Sequence, residues 1–342
     1  MLRKDGSAAA ILATPIIHSI SVAECGIGIR CVCARRTVER VPELPEVETI
    51  ANGVNARVRG RRIAQVWTSG KPQTFKSPET EIVAALTGAK IESVRRVGKT
   101  IVMTVTRDAE RTEFLIHLGM TGRLLVSTPE MPAAPHTHAV LTLDDGRELR
   151  FVDPRRFGRL SIHHSEHPAR ENGKKIGGHP ISLRDVVHPV LPDQNHPTAG
   201  YTGPGREPLT ISLDDFVALF RNRKTPIKAA LLNQSLLHGV GNIYADEALF
   251  CAGIRPTRQA ARLSYDELKK LRSALIAVLK QAIKLGGSSV SDYVDADGVR
   301  GFFQLRHKVY QRTGEPCKVC GRPIKRIELA GRGTHFCATC QK

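Results

Sequence analysis

Pro42-Glu43-Leu44-Pro45-Glu46-Val47-Glu48 is the stretch on which the fold turns. Pro45 suits a first helical turn, where a missing N–H costs nothing. Glu46 and Glu48 suit the positive end of a helix dipole. Val47, Ile50, Val54 and Val58 then recur at spacings of three and four, the apolar stripe of a helix that packs on a core. Arg57 and Arg59 come near its end and Gly60 stops it. A well-capped buried helix explains all of this except three carboxylates gathered beside a proline. Were Pro42 the first residue, its secondary amine would be a nucleophile able to form a Schiff base with a sugar or carbonyl carbon. Glu43 beside it would then move protons. In the sequence as it stands Pro42 follows Val41, and its nitrogen is an amide.

The remaining composition narrows the partner. The 342 residues suffice for about two domains. Lys and Arg number 51 against 33 Asp and Glu, a formal charge of +18. Such a balance points to a polyanion, most simply nucleic acid, ahead of an anionic membrane or an inert basic surface. No apolar run approaches the about 18 residues of a membrane span. Four of the eight cysteines, Cys25, Cys31, Cys33 and Cys251, show no disulfide framework, so a reducing compartment fits.

Residues 1–41 carry a basic start, an interrupted apolar stretch and a basic end, and resemble neither a good signal peptide nor a domain. Valine is what a GUG start codon becomes when read internally. The expectation is that translation begins at Val41, that the initiator methionine is removed and that Pro42 is exposed; residues 1–41 are then a misplaced start or a removed segment. Residues 42–162 read as a β-rich domain, a sandwich with the opening helix packed on it. Ile101, Met103 and Val105 alternate, and Val140–Leu143, the Asp145-Gly146 turn and Leu149–Phe151 form a hairpin. Residues 163–208, rich in Pro, His and Gly, read as a linker with an inserted loop. Histidines 163, 164, 167, 179, 188 and 196 are spaced too irregularly for a metal site.

Helices dominate residues 209–300. Ser212 with Asp215 caps Phe216–Arg223, and Pro226 opens Ile227–Leu232. His238-Gly239-Val240-Gly241 turns into Asn242–Phe250, and Ser264 with Glu267 makes a capping box for a long helix closed by Gly286-Gly287. Helix, glycine turn and helix at 227–250 have the form of a phosphate-binding clamp. In residues 301–342, Cys317-x2-Cys320 and Cys337-x2-Cys340 match a four-thiolate zinc site. Four thiolates leave no open position for water, so the ion is structural. Lys325, Arg326, Arg332 and His335 lie between the cysteine pairs, and Gly331-Arg332-Gly333 presents Arg332 at a hairpin tip.

These residues closely resemble bacterial formamidopyrimidine-DNA glycosylase, also called 8-oxoguanine DNA glycosylase, over essentially all of Pro42–Lys342. The resemblance rests on Pro42–Thr49, Arg96–Lys99, His117–Met120, Asp153–Gly158, Pro226–Lys228, Gly241–Glu247, Asp295–Gly298 and Gly331–Cys337. It implies an α+β multidomain fold: an N-terminal β-sandwich with a leading helix, a helix–two-turn–helix domain and a C-terminal four-Cys zinc finger. The activity it implies is excision of oxidised purines from duplex DNA, then β,δ-elimination at the abasic site. In the roles it implies, Pro42 attacks C1′, Glu43 is the acid and Glu46 a further site carboxylate. Lys99, Asn242 and Arg332 grip phosphates. Met120, Arg155 and Phe157 fill the gap left by the flipped nucleotide. His117, Lys228, Tyr310 and Arg326 contact DNA. The resemblance further implies one zinc ion and no organic cofactor, damaged double-stranded DNA as partner, no membrane, a monomer, and a cytoplasmic, nucleoid-associated location in a bacterium.

The chain departs from the family at Val41, in its longer 163–208 linker, at Ser291 where many members carry Lys or Arg, and at Gln311 where Gly is common. Two other readings are weighed. An endonuclease VIII-like enzyme for oxidised pyrimidines is disfavoured by Leu44 and Phe157. A non-catalytic zinc-dependent DNA-binding protein would follow if the amino terminus stayed blocked.

Overall fold

The structure, a computed structural model, describes residues 41–164, 200–289 and 293–342. The extension up to residue 40, Ser291, and the histidines at 167, 179, 188 and 196 lie outside the described residues. Among the described residues no helix is long and apolar enough to cross a membrane.

The opening stretch forms helix α1, Leu44–Val58, with Glu43 as its N-cap. Glu43 and Glu46 make a capping box in which the Glu43 N–H donates to Glu46 Oε2 at 3.0 Å. Two antiparallel four-stranded sheets follow. One has the order β1 (Ile63–Thr68), β6 (Thr137–Leu143), β7 (Glu148–Val152), β5 (Arg123–Ser127). The other runs β2 (Lys90–Val97), β3 (Thr100–Arg107), β4 (Glu110–His117), β8 (Arg159–His164). A short helix α2, Glu79–Leu86, lies between β1 and β2 in the chain. Val47, Ile50, Val54 and Val58 of α1 share one buried core with Ile63 and Leu141 of the first sheet and Ile101, Met103 and Phe114 of the second. This is the sandwich expected, and Asp145-Gly146 makes its β6–β7 hairpin, with Gly146 N–H on Leu143 O at 3.0 Å.

Leu44 leaves this core. It is buried instead with Phe216, Phe220, Ile243, Tyr244, Leu271, Leu275 and Tyr310 in the helical core. Helix α1 therefore has its first residue in one core and its body in the other. The Leu44 N–H donates to Gly239 O at 3.0 Å. Gly239 has φ +87°, and a Cβ there would stand 2.9 Å from the Leu44 side chain. Both the conformation and the approach demand glycine.

The helical core is built from α3 (Leu213–Phe220), α4 (Ile227–Leu231), α5 (Asn242–Ala252) and α6 (Tyr265–Lys284). Ser212 accepts from the Asp215 N–H as expected, but α3 starts at Leu213, earlier than Phe216. It also ends at Phe220 rather than Arg223, and Asn222 beyond it has φ +62°. The Ser264–Glu267 capping box opens α6.

An ion network ties the sandwich to the helices. Arg96 of β2 donates from Nε to Glu48 at 2.6 Å and from both terminal nitrogens to Glu207 at 2.9 Å. His238 Nε2 adds a 3.1 Å contact to Glu207. Burial raises the Glu207 carboxyl, but hydrogen bonds from His238 and Arg96, with their charges, outweigh it and hold it at about 2. The finger is a third, small core of Phe250, Val309, Cys317, Ile324 and Cys337. Its hairpin is β9 (Lys325–Leu329) against β10 (Arg332–Phe336). Glu247 of α5 fixes the approach to it, accepting the N–H groups of Lys308, Val309 and Tyr310 at 2.9–3.0 Å.

Candidate active site

Glu43 and Glu46 are buried, and each is held for a reason visible in the packing. Glu43 sits where the N-termini of α1 and α5 meet, and its Oε1 accepts the Ile243 N–H at 3.3 Å. Glu46 is 2 % exposed. Its Oε1 accepts the Ser288 N–H at 2.7 Å and the Tyr244 hydroxyl. Burial, and then repulsion by Glu43, push its carboxyl up to about 7, against the hydrogen bonds it accepts. A carboxyl raised on folding contributes stability below its unfolded value near 4.5, which is lost as pH rises through 7. Wild-type stability should therefore fall by about 2 kcal/mol more than that of Glu46→Gln between pH 5 and pH 8. Denaturant titrations at the two pH values check this, and parallel curves would contradict it.

Lys99 faces this pair, and Arg332 and His117 lie close to Lys99. Lys99 lies in the tight β2–β3 turn after Gly98. Burial depresses its ammonium below the usual lysine range; Glu43 opposes that shift and the Arg332 charge adds to it. Lys99 thus feels both Glu43 and Arg332, although the three come from separate parts of the chain. His117 ends β4. Burial, then the charges of Lys99 and Arg159, hold it below the ordinary imidazole value and so neutral. Its Nδ1 accepts the Gly119 N–H at 3.1 Å, which assigns the proton to Nε2 and leaves that nitrogen a donor.

Met120 and Phe157 occupy adjoining loops. A Cβ on Gly119 would stand 2.5 Å from the Phe157 carbonyl carbon. Phe157 is 42 % exposed, not a core residue, and the Arg155 guanidinium lies 4.8 Å from its ring centroid. The residue that shapes both loops is Asp153, which has no role in the sequence reading. It is fully buried and accepts the Gly158 N–H at 2.7 Å, the Arg155 N–H at 3.3 Å and the Thr121 hydroxyl. Its only sequence signal is its place at the head of Asp153-Pro154-Arg155-Arg156-Phe157-Gly158. Tyr244 and Ser288 give no such local signal: their partner, Glu46, lies 198 and 242 residues away in sequence.

Two residues expected on DNA are placed elsewhere. Lys228 is wholly buried, with Nζ 2.7 Å from Asp246, 2.8 Å from the Thr334 hydroxyl and 3.0 Å from Gly333 O. It pins the finger hairpin from within and presents no charge to a phosphate. Lys228→Met takes the cation from buried Asp246 and leaves it only the His335 N–H and ring, and should cost about 3 kcal/mol of stability; a denaturation midpoint equal to wild type would contradict this. The Tyr310 ring is also buried, edge-on to His307 and His335.

Asn242 opens α5, but the N-cap is Gly241, and the Asn242 amide donates to Gly333 O at 2.9 Å. Arg332 is exposed as the first residue of β10. The hairpin tip is Ala330-Gly331, not the Gly-Arg-Gly centre expected. Arg326 is exposed on β9, alongside Gly333.

The four cysteine sulfurs lie within 4.8 Å of one another, with 3.5 Å between Cys320 and Cys337 and 3.9 Å between Cys317 and Cys340. Sulfurs about 2.3 Å from a tetrahedral zinc stand about 3.8 Å apart, so the set fits that ion. The Val319 and Cys340 N–H groups point at Cys317 and Cys337 sulfurs at 3.5 Å, a geometry suited to thiolates. Among the described residues it is the one group of His, Cys, Asp and Glu side chains gathered tightly enough to share an ion.

Comparison with known proteins agrees with this arrangement. Residues 41–160 match the formamidopyrimidine-DNA glycosylase N-terminal domain, 204–294 its H2TH domain, and 314–342 the zinc finger found in FPG and IleRS. The formamidopyrimidine-DNA glycosylases of Solibacter usitatus and Acidiphilium cryptum are 44% and 40% identical, each over 88% of this chain and all of the relative. Among solved structures, the MutM (FPG) protein of Thermus thermophilus is 39% identical, with TM-score 0.68, over 88% of this chain and 98% of that one. A Lactococcus lactis FPG mutant in complex with a Fapy-dG containing DNA is 31% identical, with TM-score 0.72, over 88% of this chain and all of that one. The chain belongs to the formamidopyrimidine-DNA glycosylase family.

Proposed function

We infer that this chain is a base-excision-repair DNA glycosylase with abasic-site lyase activity, acting on oxidised purines such as 8-oxoguanine and formamidopyrimidines in duplex DNA. The observation that carries this reading is that the start of α5 joins the carboxylate beside Pro42 to the finger: the Ile243 N–H donates to Glu43 and the Asn242 amide to Gly333 O, next to Arg332, while Lys99 feels both Glu43 and Arg332. In this reading Glu43 is the acid, Pro42 the amine nucleophile, and Lys99 and Arg332 the phosphate-binding cations. The formal charge of +18 supplies the non-specific attraction to DNA.

The active form begins at Pro42. An α-amino group titrates at about 7.7–8.0 in isolation, and the adjoining helix N-termini and cations favour its neutral form. The Pro42 nitrogen bonds to C1′ of the extruded nucleotide as the glycosidic electron pair leaves with the base, which takes up the proton that the Pro42 nitrogen sheds. Glu43 protonates the sugar oxygen as the ring opens, giving an iminium ion. That ion draws the electrons of two successive eliminations, which release the 3′ and then the 5′ phosphate. The chain supplies its own electron sink, so no organic cofactor enters. His117 Nε2–H, Lys99, Asn242 and Arg332 hold the phosphates, while Met120, Arg155 and Phe157 occupy the vacated stack. Cys317, Cys320, Cys337 and Cys340 hold one structural zinc ion, which fixes the Arg332 hairpin. The enzyme works as a monomer, since one chain carries every part of the site, and its DNA substrate places it with the bacterial nucleoid in the cytoplasm, apart from membranes.

The test is a duplex with one 8-oxoguanine opposite cytosine, beside a duplex with one oxidised pyrimidine. The reading expects faster cleavage of the first, leaving phosphates at both ends of the gap. Preference for the pyrimidine duplex would favour the endonuclease VIII-like alternative. Binding to both without cleavage would indicate a DNA-binding module.

A further inference from the structure

Gly241 is the N-cap of α5, with φ −128° and ψ −167°. That is extended backbone open to any L residue, so conformational freedom is not why glycine stands there. The reason is a neighbour. A Cβ on residue 241 would lie 2.1 Å from Glu43 Cδ, 2.4 Å from its Oε1 and 2.5 Å from its Cγ. The carboxyl group of Glu43 fills the volume that a side chain at 241 would take.

We propose that Gly241 is a positioning residue for base excision: by having no side chain, it seats the Glu43 carboxyl on the N-terminus of α5. This rests on the role given to Glu43 above. Three observations combine. The Glu43 backbone is fixed, because its N–H donates to Glu46 at 3.0 Å and the next residue, Leu44, is buried in the helical core with its N–H on Gly239 O. The Glu43 carboxyl is fixed from the other side by the Ile243 N–H. What a methyl group at 241 would meet is the far end of that side chain, not backbone. The clash is therefore relieved by swinging the carboxyl aside, with α5 and both cores left in place.

Moving the carboxyl from 2.1 Å out to ordinary contact at 3.4 Å or more takes at least about 1.3 Å, and a misplacement of about 1 Å already costs a proton-transfer step about a hundredfold. The steps that follow on an existing abasic site need no base departure. They use the Pro42 amine and the aldehyde that the abasic sugar's hemiacetal yields by opening without loss of a base, so they are affected much less.

The experiment measures two rates for wild type, Gly241→Ala, Glu43→Ala and the double variant, each beginning at Pro42. One rate is 8-oxoguanine excision; the other is cleavage of a preformed abasic site. Gly241→Ala should excise about 100-fold more slowly while cleaving the abasic site within about threefold of wild type. In the Glu43→Ala background the added methyl meets no carboxyl, so Gly241→Ala should cause no further loss of excision. Thermal unfolding of Gly241→Ala should match wild type within a few degrees. Wild-type excision by Gly241→Ala beside a crippled Glu43→Ala would overturn this inference alone. So would an equal loss of both rates, or a full Gly241→Ala penalty persisting without Glu43. Wild-type excision by Glu43→Ala would overturn the acid role in the proposed function, and this inference with it.

Discussion

A chain that begins at Pro42 should excise 8-oxoguanine, and the same chain retaining Val41 should lose that activity by at least about a thousandfold. The reason is electronic. In the longer chain the Pro42 nitrogen is an amide, its lone pair delocalised into the carbonyl of Val41. In the proposed function Lys99, whose ammonium feels the Glu43 charge, holds phosphate and does not take the place of this nitrogen. The fold is indifferent to the change, because α1 starts at Leu44 and its cap at Glu43. Circular dichroism and melting of the two chains should coincide while their excision rates separate. Equal rates would remove Pro42 from the chemistry.

The second large effect concerns the metal. Chelation of zinc, or Cys337→Ser, should weaken binding to an abasic-site duplex by tenfold or more and make binding less sensitive to salt. Arg332 and Arg326 stand on a two-stranded hairpin whose own core is five residues, two of them metal ligands. A structural zinc site supplies about 10–16 kcal/mol in isolated fingers, more than so small a core can replace. Losing two phosphate contacts should lower the slope of log affinity against log salt by about 2. The sandwich and helical cores contain no cysteine ligand, so their unfolding transition should persist after chelation. Unchanged affinity after chelation, with metal loss verified, would contradict this account of the finger.

Much of the fold was legible because its signals are local. The stripe from Val47 to Val58 reports a helix on a core by spacing alone. Asp145-Gly146 reports a hairpin, Ser264 with Glu267 a helix start, and two Cys-x2-Cys pairs a metal knuckle. The sequence reading goes astray where a residue's partner is distant in sequence. Lys228 looks like a surface cation until Asp246 and Thr334 are brought round it. Tyr310 looks like a DNA contact until His307 and His335 close on its ring. Leu44 fits the sandwich helix by position, yet it is buried in the helical core. The Glu43–Glu46 capping box escapes the usual Ser/Thr-x-x-Glu signature because a carboxylate stands at the cap. Gly241 reads as one more turn glycine; its constraint is the Glu43 carboxyl, which only the folded chain brings there.

The central claim is that the Pro42 amine forms the bond to DNA. It is tested most directly by borohydride reduction of the chain beginning at Pro42 during turnover on an 8-oxoguanine duplex, followed by protease digestion and mass spectrometry of the DNA-linked peptide. The expected result is a sugar remnant on the nitrogen of Pro42. The same remnant on Lys99 or any other lysine, with Pro42 unmodified, would contradict it.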